Sequence, residues 1–223
     1  PNVTARIDRT DPSHNIVRGF IAYAKLLRYH PELRGQVQFW AFLQPSRQDV
    51  AVYSRYLRQI RQAVGRINSE FGTDTWQPVR LEIGESERKA VASLKNYDVL
   101  LVNPVYDGLN LVVKEGALVN ATNGVIVLSE NAGAHEELHD HVLSVNPFDV
   151  EATAAALYVG LMMGPAEKRR LNEGAREAVR ANDITRWISR QVQDLRDRVI
   201  SPTKASRLCR SSPSLPAYGE RLP

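Results

Sequence analysis

The loop at residues 103–110 has the residue types that a bound sugar or anion requires. It follows the apolar run Asp98–Val102 and reads Asn-Pro-Val-Tyr-Asp-Gly-Leu-Asn. Asp107 could accept hydrogen bonds from sugar hydroxyls, and Gly108 allows a ligand to approach the backbone closely. Glu115, one turn into the helix predicted to follow, could hold ribose hydroxyls, while the helix start offers amide groups to an anion. The same spacing also fits a plain Asp-Gly turn with the last asparagine as helix cap, so both interpretations stay open.

Arg47 is a candidate for binding a phosphate. It lies in the loop Gln44–Asp49, directly after the apolar run Val37–Leu43. A guanidinium group at the end of a strand can hold a phosphate through two parallel hydrogen bonds. An arginine that is simply solvated in its loop would have the same sequence context.

A third candidate is a metal motif. Residues 135–139 read His-Glu-Glu-Leu-His, the pattern that places two zinc ligands and a general base on one helical face, and His141 lies close by. A zinc peptidase using His135, Glu136 and His139 is therefore an alternative of another class. The helix would be short, because Val142–Val145 already has a strand pattern, and no distant third ligand is evident. We therefore expect no metal site.

All three candidates need a frame that brings strand ends together, and the hydrophobic pattern predicts such a frame. Strand-like and helix-like segments alternate, which is typical of βαβ crossovers. The fold class expected is α/β, a Rossmann-like parallel sheet with helices on both faces, and ligands bind such sheets at the carboxyl ends of the strands. The predicted strands are Val3–Ile7, Val37–Leu43, Val79–Ile83, Asp98–Val102, Val125–Leu128 and Leu143–Val145. Helices are predicted from Ser13 or Asn15, over Asp49–Phe71 and Glu87–Leu94, from Asn110, from about Ala132, and two or three times between Asp149 and Val199.

Composition and charge exclude several classes of protein. Hydrophobic residues make up 43% and charged residues 24% of the 223 residues, as in ordinary globular proteins, and no apolar run is long enough to span a membrane. A single cysteine, Cys209, fits a reducing compartment, so we expect a cytoplasmic protein. Residues 201–223 contribute +3 of the +4 net charge, so the remainder is almost neutral and a nucleic-acid groove is not indicated. We expect one domain over residues 1–199 and a disordered, basic, Ser/Pro-rich tail over 200–223.

Seven short motifs occur in an order that resembles the second half of the trehalose-6-phosphate synthase family. This family comprises the retaining glycosyltransferases of family 20, which have two facing Rossmann-like domains (the GT-B fold). The resemblance covers roughly residues 3–197, and the run Asp107–Glu115 is its most specific part. The motifs are Pro45–Val50, Gly65–Asn68, Tyr97–Val99, Asp107–Glu115, Glu130–Ala134 with Glu137–Leu138, Asn146–Asp149, and Asn182–Ile184 with Trp187.

The resemblance implies that the chain is the nucleotide-sugar-binding C-terminal half of such an enzyme. Glucose would pass from a UDP- or GDP-sugar to a sugar phosphate acceptor with retention of configuration, without a metal or other cofactor. An N-terminal domain is then missing, and little transfer is expected without it. The long Arg-Thr-Asp-Pro-Ser loop that starts at Arg9 also resembles a branch that includes validoxylamine 7′-phosphate synthase, a pseudo-glycosyltransferase, so that substrate class is an alternative.

The resemblance also implies roles for individual residues. Arg6 would neutralise the donor diphosphate and Asp107 would contact the donor glucose, which makes these two the expected catalytic residues. Backbone groups of Gly108–Leu111 would meet the sugar and diphosphate, Glu115 would hold the ribose, and Arg47 would contact the acceptor phosphate. The donor-binding set expected on this basis is Arg6, Arg9, His14, Asp107, Gly108, Leu109, Asn110, Leu111, Val112 and Glu115.

One position departs from the family pattern. The family places a lysine shortly after the first arginine, where this sequence has His14 at the end of a longer loop. A histidine is largely neutral at pH 7 unless a neighbouring anion raises its pKa. The exchange therefore weakens stabilisation of the departing diphosphate unless His14 becomes charged on binding, and Arg9 would partly compensate.

Overall fold

A computed structural model describes residues 2–47, 49–84 and 87–200. For residues 198–200 it describes the backbone alone. The chain divides into two compact units that meet in sequence at Arg180 and Ala181, a division that the sequence did not predict. Of the predicted disordered tail, only Ile200 is described, as the last residue of a helix. The rest of the tail lies outside the described residues.

The first unit is built on a parallel sheet of six strands, β1 to β6. Helices α1 to α7 follow the strands, as the alternating pattern predicts, and α8 belongs to the second unit. The strands are β1 Asn2–Arg9, β2 Val37–Gln44, β3 Val79–Ile83, β4 Val99–Val102, β5 Val125–Ser129 and β6 Leu143–Val145. The helices are α1 Ile16–Tyr29, α2 Ala51–Phe71, α3 Glu87–Asn96, α4 Leu111–Val119, α5 His135–Leu138, α6 Val150–Met162, α7 Pro165–Ala181 and α8 Ile184–Ile200. Short 3-10 helices lie at Pro12–His14, Pro31–Leu33 and His139–His141.

The strand order is β3-β2-β1-β4-β5-β6, and every pair is parallel. The chain first builds outward from β1 to β3 and then returns to the other side of β1 with β4. The order therefore reverses between β1 and β4, which is the position where doubly wound sheets bind ligands.

Each face of the sheet has its own hydrophobic core, which confirms the predicted helices on both faces. Side chains alternate along β4, so Leu101 packs on one face and Leu100 on the other. Helices α1, α2 and α6 cover the first face, where Phe39 of β2 meets the rings of Phe20 and Tyr23 edge to face at 5.2 and 5.1 Å. Helices α3, α4 and α7 cover the second face through residues such as Leu94, Val113 and Ala175. The two cores hold the sheet rigid, so the loops at its carboxyl edge start from fixed positions.

The second unit consists of α8 among the described residues. Its first turn is capped by Asp183, whose carboxylate accepts a hydrogen bond from the Arg186 amide at 2.9 Å. Ile184, Trp187 and Leu195 are exposed along it. Within the described part of the chain, no helix has both the length and the apolar surface that a bilayer crossing requires.

Candidate functional site

A cleft of about 1090 Å³ lies at the carboxyl edge of the sheet, next to the position where the strand order reverses. The ends of β1, β2 and β3 form one side of the cleft, and the β4–α4 loop with the first turns of α4 forms the other. Eight of the predicted donor-binding residues line this cleft together. They are Arg9, His14, Asp107, Leu109, Asn110, Leu111, Val112 and Glu115.

Hydrogen bonds among its own residues and to the start of α4 hold the last part of the β4–α4 loop in place. Asn110 adopts a left-handed backbone with φ of 65°, and its side-chain oxygen accepts a hydrogen bond from the Val113 amide at 3.2 Å, so it caps α4 as predicted. The side-chain nitrogen Nδ2 of Asn110 also donates to the Asp107 carboxylate at 3.1 Å. The Leu109 amide donates to the other oxygen of Asp107 at 3.3 Å. Asp107 is therefore oriented by the same turn that starts the helix, and the turn and binding interpretations of this loop are compatible.

The β5–α5 loop packs against the β4–α4 loop and donates two backbone hydrogen bonds to it. The Gly133 amide donates to the Asp107 carbonyl and the Ala134 amide to the Leu109 carbonyl, both at 2.9 Å. A Cβ atom at Gly133 would lie 2.0 Å from the carbonyl oxygen of Gly108, so only glycine permits this approach. A Cβ atom at Gly108 itself would meet no atom within 4 Å. The backbone at Gly108 is thus open, although its residue is not among those that line the cleft.

Arg6 lies within β1, as the predicted strand Val3–Ile7 implies. Strand β1 continues two residues beyond the predicted end, and Arg9 pairs in register with Gln44, so Arg6 belongs to the body of the strand. Its side chain is fully buried and does not line the cleft. The guanidinium forms a 2.8 Å ion pair with Asp8 and donates to the Asn103 side chain at 2.6 Å. The guanidinium therefore lies buried beneath the cleft in this structure, and the predicted contact of Arg6 with the donor diphosphate stays a prediction.

The space for Arg6 comes from a glycine on the neighbouring helix. A Cβ atom at Gly19 of α1 would lie 2.6 Å from Nη1 of Arg6. Arg6 also donates to the His14 carbonyl at 2.5 Å, so the guanidinium ties together β1, the loop after it and the β4–α4 loop. A buried charge with these partners organises the site from inside the protein.

Two cationic or potentially cationic groups line the cleft at the end of β1: Arg9 is the last residue of the strand, and His14 lies in the loop that follows it (the β1 loop). The Arg9 side chain is 62% exposed and lies 3.3 Å from the Asp11 carboxylate. The His14 ring is 13% exposed, and its Nδ1 atom forms a hydrogen bond with the Asp8 carboxylate. Burial by itself lowers the pKa of His14, but the hydrogen bond and charge of Asp8, aided by the charge of Asp107, outweigh burial and raise the pKa above its usual value.

Arg47 is placed apart from this cleft. Its backbone has a positive φ of 42°, and its exposed guanidinium lies 5.5 Å from the centre of the Tyr53 ring and donates to the Tyr53 hydroxyl at 3.1 Å. The segment before it is anchored, because the Ser46 amide donates to the Thr10 hydroxyl at 3.0 Å. The predicted role in acceptor phosphate binding stays a prediction.

Several residues of the site were missed at the sequence level. Asp8 holds both Arg6 and His14, and Asn103 orients Arg6, although neither carries a recognisable motif. The ends of β2 and β3 also contribute to the cleft, through Phe42 and Ile83 among others. The only signal for them was their position at strand ends, which identifies an edge of the sheet but not the loops that share one cleft.

The His-Glu-x-x-His motif does not form a continuous helical face. Helix α5 ends at Leu138, and His139 begins a 3-10 turn. His135 forms a hydrogen bond with the Ser144 hydroxyl at 2.8 Å, and its ring centre lies 6.0 Å from that of His139. In the described ranges, no three His, Cys, Asp or Glu side chains are grouped closely enough to hold a metal ion. The geometry therefore gives the zinc-peptidase alternative no support.

The family follows from comparison with known proteins. The model of glycosyltransferase family 20 matches residues 2–197, which is most of the chain. The chain belongs to glycosyltransferase family 20. This family 20 chain is 38% identical over 206 residues to a trehalose-6-phosphate synthase of Klebsiella pneumoniae. It is also 39% identical over 187 residues to a bifunctional trehalose-6-phosphate synthase/phosphatase of Thermoproteus tenax.

Solved structures agree with the expected GT-B architecture. A UDP-forming α,α-trehalose-phosphate synthase of Burkholderia xenovorans in complex with glucose-6-phosphate matches with a TM-score of 0.83 at 33% identity. An E. coli trehalose-6-phosphate structure bound with UDP-2-fluoro glucose matches with the same TM-score at 34% identity. These neighbours favour the trehalose-phosphate branch over the cyclitol-joining and peptidase alternatives.

The family 20 chain corresponds to only part of each relative. The alignments cover 91% of this chain and 43% of the Klebsiella protein, and 83% of this chain and 25% of the Thermoproteus protein. For the two structures the coverage is 87% of this chain and 43 to 44% of theirs. The chain thus spans less than half the length of these relatives.

Proposed function

We propose that this chain binds the nucleotide-sugar donor of a retaining glucosyltransfer to a sugar phosphate. The observation that carries the proposal is the convergence of eight predicted donor-binding residues on one cleft of about 1090 Å³ in a family 20 chain. That volume is slightly above the range of about 300–1,000 Å³ that is usual for ligand pockets, so a nucleoside diphosphate sugar fits with room for part of an acceptor. A UDP-sugar is the favoured donor, because two solved relatives are described as UDP-forming or bound to a UDP-sugar analogue.

The diphosphate belongs between the β1 loop and the start of α4. Arg9 supplies a permanent positive charge there, and His14 supplies a second one when it is protonated. The first turn of α4 faces the same cleft and contributes the positive end of its helix dipole. Because the Arg6 side chain is buried, we assign the role of exposed arginine to Arg9 and leave Arg6 as its structural support.

The sugar and the ribose belong to the β4–α4 side of the cleft. Asp107 has its carboxylate oriented by Leu109 and Asn110 and retains lone pairs for the glucose hydroxyls. Glu115 is exposed on the cleft side of α4, where an ionised carboxylate can accept hydrogen bonds from both ribose hydroxyls. We therefore assign Asp107 to the glucose and Glu115 to the ribose of the donor.

The reaction that we propose breaks the bond between the anomeric carbon of glucose and the diphosphate oxygen. The acceptor hydroxyl oxygen forms the new bond on the same face of the sugar, and its proton passes to the departing diphosphate. The chain's own contribution is electrostatic, because charges placed beside the diphosphate stabilise the negative charge that develops there. A facing domain would cover the cleft, exclude water and supply much of the acceptor site, with Arg47 as a candidate contact to the acceptor phosphate.

Calorimetric titration of the chain with UDP-glucose and UDP tests the donor site. Glu115→Gln is expected to weaken UDP binding about tenfold, because a hydrogen bond to a charged acceptor is replaced by one to a neutral acceptor. The matched control is Glu167→Gln on α7, where the exposed glutamate pairs with Arg170. It is expected to leave UDP affinity unchanged.

The titration has an outcome that contradicts the proposal. Equal losses in the Glu115 and Glu167 variants, or wild-type chain that does not bind UDP or UDP-glucose, would show that this cleft is not the donor site. Glucose release or transfer from UDP-glucose, followed by NMR with glucose-6-phosphate present, then measures how much activity the chain has without a facing domain.

A further inference from the structure

His14 occupies an unusual position at the bottom of the proposed donor cleft. It lines the cleft while its ring is 87% shielded by the surrounding protein, and its Nδ1 atom is bonded to the Asp8 carboxylate. The other oxygen of Asp8 is held by the buried Arg6 at 2.8 Å, and Arg6 also holds the His14 carbonyl. Hydrogen bonds thus hold both the backbone carbonyl and the ring of His14. It is not a histidine that rotates freely in solvent.

The hydrogen bond to Asp8 decides which ring atom is available to a ligand. Since Nδ1 is committed to Asp8, Nε2 is the atom left for the cleft. In the neutral ring Nδ1 carries the proton, and Nε2 then has a lone pair that can only accept a hydrogen bond. Only the protonated ring can donate a hydrogen bond from Nε2 to an anion.

The charged groups around the ring favour that protonated form. From β1 it faces Asp8 and Arg6, from its own loop Asp11 at 3.9 Å from Nε2, and from the β4–α4 loop Asp107. Arg9 pairs with Asp11 at the mouth of the cleft. These neighbours comprise three carboxylates and two guanidinium groups, with a net charge of −1. A protonated His14 ring brings the net charge of the cluster to zero.

We propose that His14 binds the donor diphosphate as an imidazolium ion held by Asp8, so that donor affinity falls as the pH rises above neutral. This inference rests on the proposed donor site and names the group that makes the site sensitive to pH. The diphosphate adds negative charge next to Nε2, so binding draws a proton onto any His14 that is still neutral. At higher pH the cost of that protonation weakens binding. Once the ring stays neutral, the hydrogen bond from Nε2 is absent.

The expected size of the effect follows from the difference between a charged and a neutral hydrogen-bond partner. Loss of one charge-assisted hydrogen bond corresponds to about tenfold to a hundredfold in affinity. The change should occur above the usual titration point near pH 6.5, since the Asp8 carboxylate and the charge of Asp107 raise the pKa of His14. The arginines of the site stay charged near neutral pH.

The test is a calorimetric titration of the full chain with UDP-glucose at several pH values between about pH 6 and pH 8.5. Each phosphate group of UDP-glucose has a single, strongly acidic ionisable oxygen, so the ligand's diphosphate does not titrate in this range and a pH effect belongs to the protein. The wild-type affinity is expected to fall at least tenfold across the range. Repeating the titration in buffers of different ionisation enthalpy should show proton uptake on binding near the upper end.

Two variants of His14 and one control separate the proposal from a general effect of pH. His14→Lys places a permanent cation at the same position and is expected to bind with nearly constant affinity over the range. His14→Gln has no cation and is expected to bind as weakly at about pH 6 as the wild type does at about pH 8.5. His139→Gln removes an exposed histidine away from the cleft and should reproduce the wild-type profile.

The protonation state of the ring itself can be read by NMR, which does not depend on how a variant folds. In the UDP-glucose complex at about pH 8, Nε2 of His14 is expected to carry a proton. A neutral ring in that complex, or wild-type and His14→Lys affinities that change in parallel with pH, would overturn the proposal while leaving the donor site itself intact. A chain that binds UDP-glucose at no pH would overturn both this inference and the proposed function.

Discussion

Replacement of Gly133 by alanine should damage the donor site, although Gly133 itself does not line the cleft. The new Cβ atom would lie 2.0 Å from the carbonyl oxygen and 2.8 Å from the carbonyl carbon of Gly108, and 3.4 Å from Cα of Leu109. All three are backbone atoms, so no side-chain rotation relieves the clash and the β4–α4 loop itself must move. That movement breaks or lengthens the hydrogen bonds that Gly133 and Ala134 donate to the carbonyls of Asp107 and Leu109.

The structure gives an expected magnitude. Overpacking of this kind costs about 1–3 kcal/mol, and weakening two backbone hydrogen bonds costs about 1 kcal/mol each. We therefore expect Gly133→Ala to lower the free energy of unfolding by about 3–5 kcal/mol, measured by urea denaturation. The displaced loop carries Asp107, so UDP affinity should fall as well, by at least about tenfold in calorimetry.

The matched control is Gly108→Ala in the opposing loop. A Cβ atom there meets nothing within 4 Å and Gly108 has no positive φ, so its free energy of unfolding should change by less than about 1 kcal/mol. If Gly133→Ala is as stable as Gly108→Ala, the two loops do not pack as described. The argument that the β5–α5 loop supports the site then fails.

Three further outcomes follow from the buried cluster and the cleft. Arg6→Met should lower the free energy of unfolding by about 3–5 kcal/mol in urea denaturation, because it leaves the Asp8 carboxylate buried without its partner; a loss below about 1 kcal/mol would contradict the burial of this pair. Arg9→Met should leave stability within about 0.5 kcal/mol of wild type but weaken UDP binding about tenfold or more, and unchanged UDP affinity would remove Arg9 from the donor site. The pKa of His14 is raised in the folded protein, so the stability that its ion pair with Asp8 contributes is fully present below about pH 6.5 and is lost as the pH rises through the folded pKa. Above about pH 6.5, the free energy of unfolding of His14→Gln should therefore depend less on pH than that of the wild type. Identical pH profiles of the two proteins would contradict the ion pair.

The sequence by itself determined the class of the fold and much of the site. Apolar runs bounded by turn residues predicted all six strands, two of them with the bounds that the structure has. The Asp-Gly-Leu-Asn run was interpreted both as a turn with a helix cap and as a ligand loop. The structure shows the turn and cap that orient Asp107 beside the cleft. These features are readable because they depend on neighbours within a few residues along the chain.

Only the tertiary structure decided which arginine faces the cleft and what surrounds His14. Arg6 and Arg9 lie three residues apart on one strand, and the position of the sheet edge, set by the pairing of Arg9 with Gln44, buries the first and exposes the second. Asp8, Asn103 and Gly19 meet Arg6 or His14 from β1, the β4–α4 loop and α1, and no local pattern records such encounters. Local propensity indicates which segments form strands and helices. The partners of a buried charge are chosen by the packing of distant elements against each other.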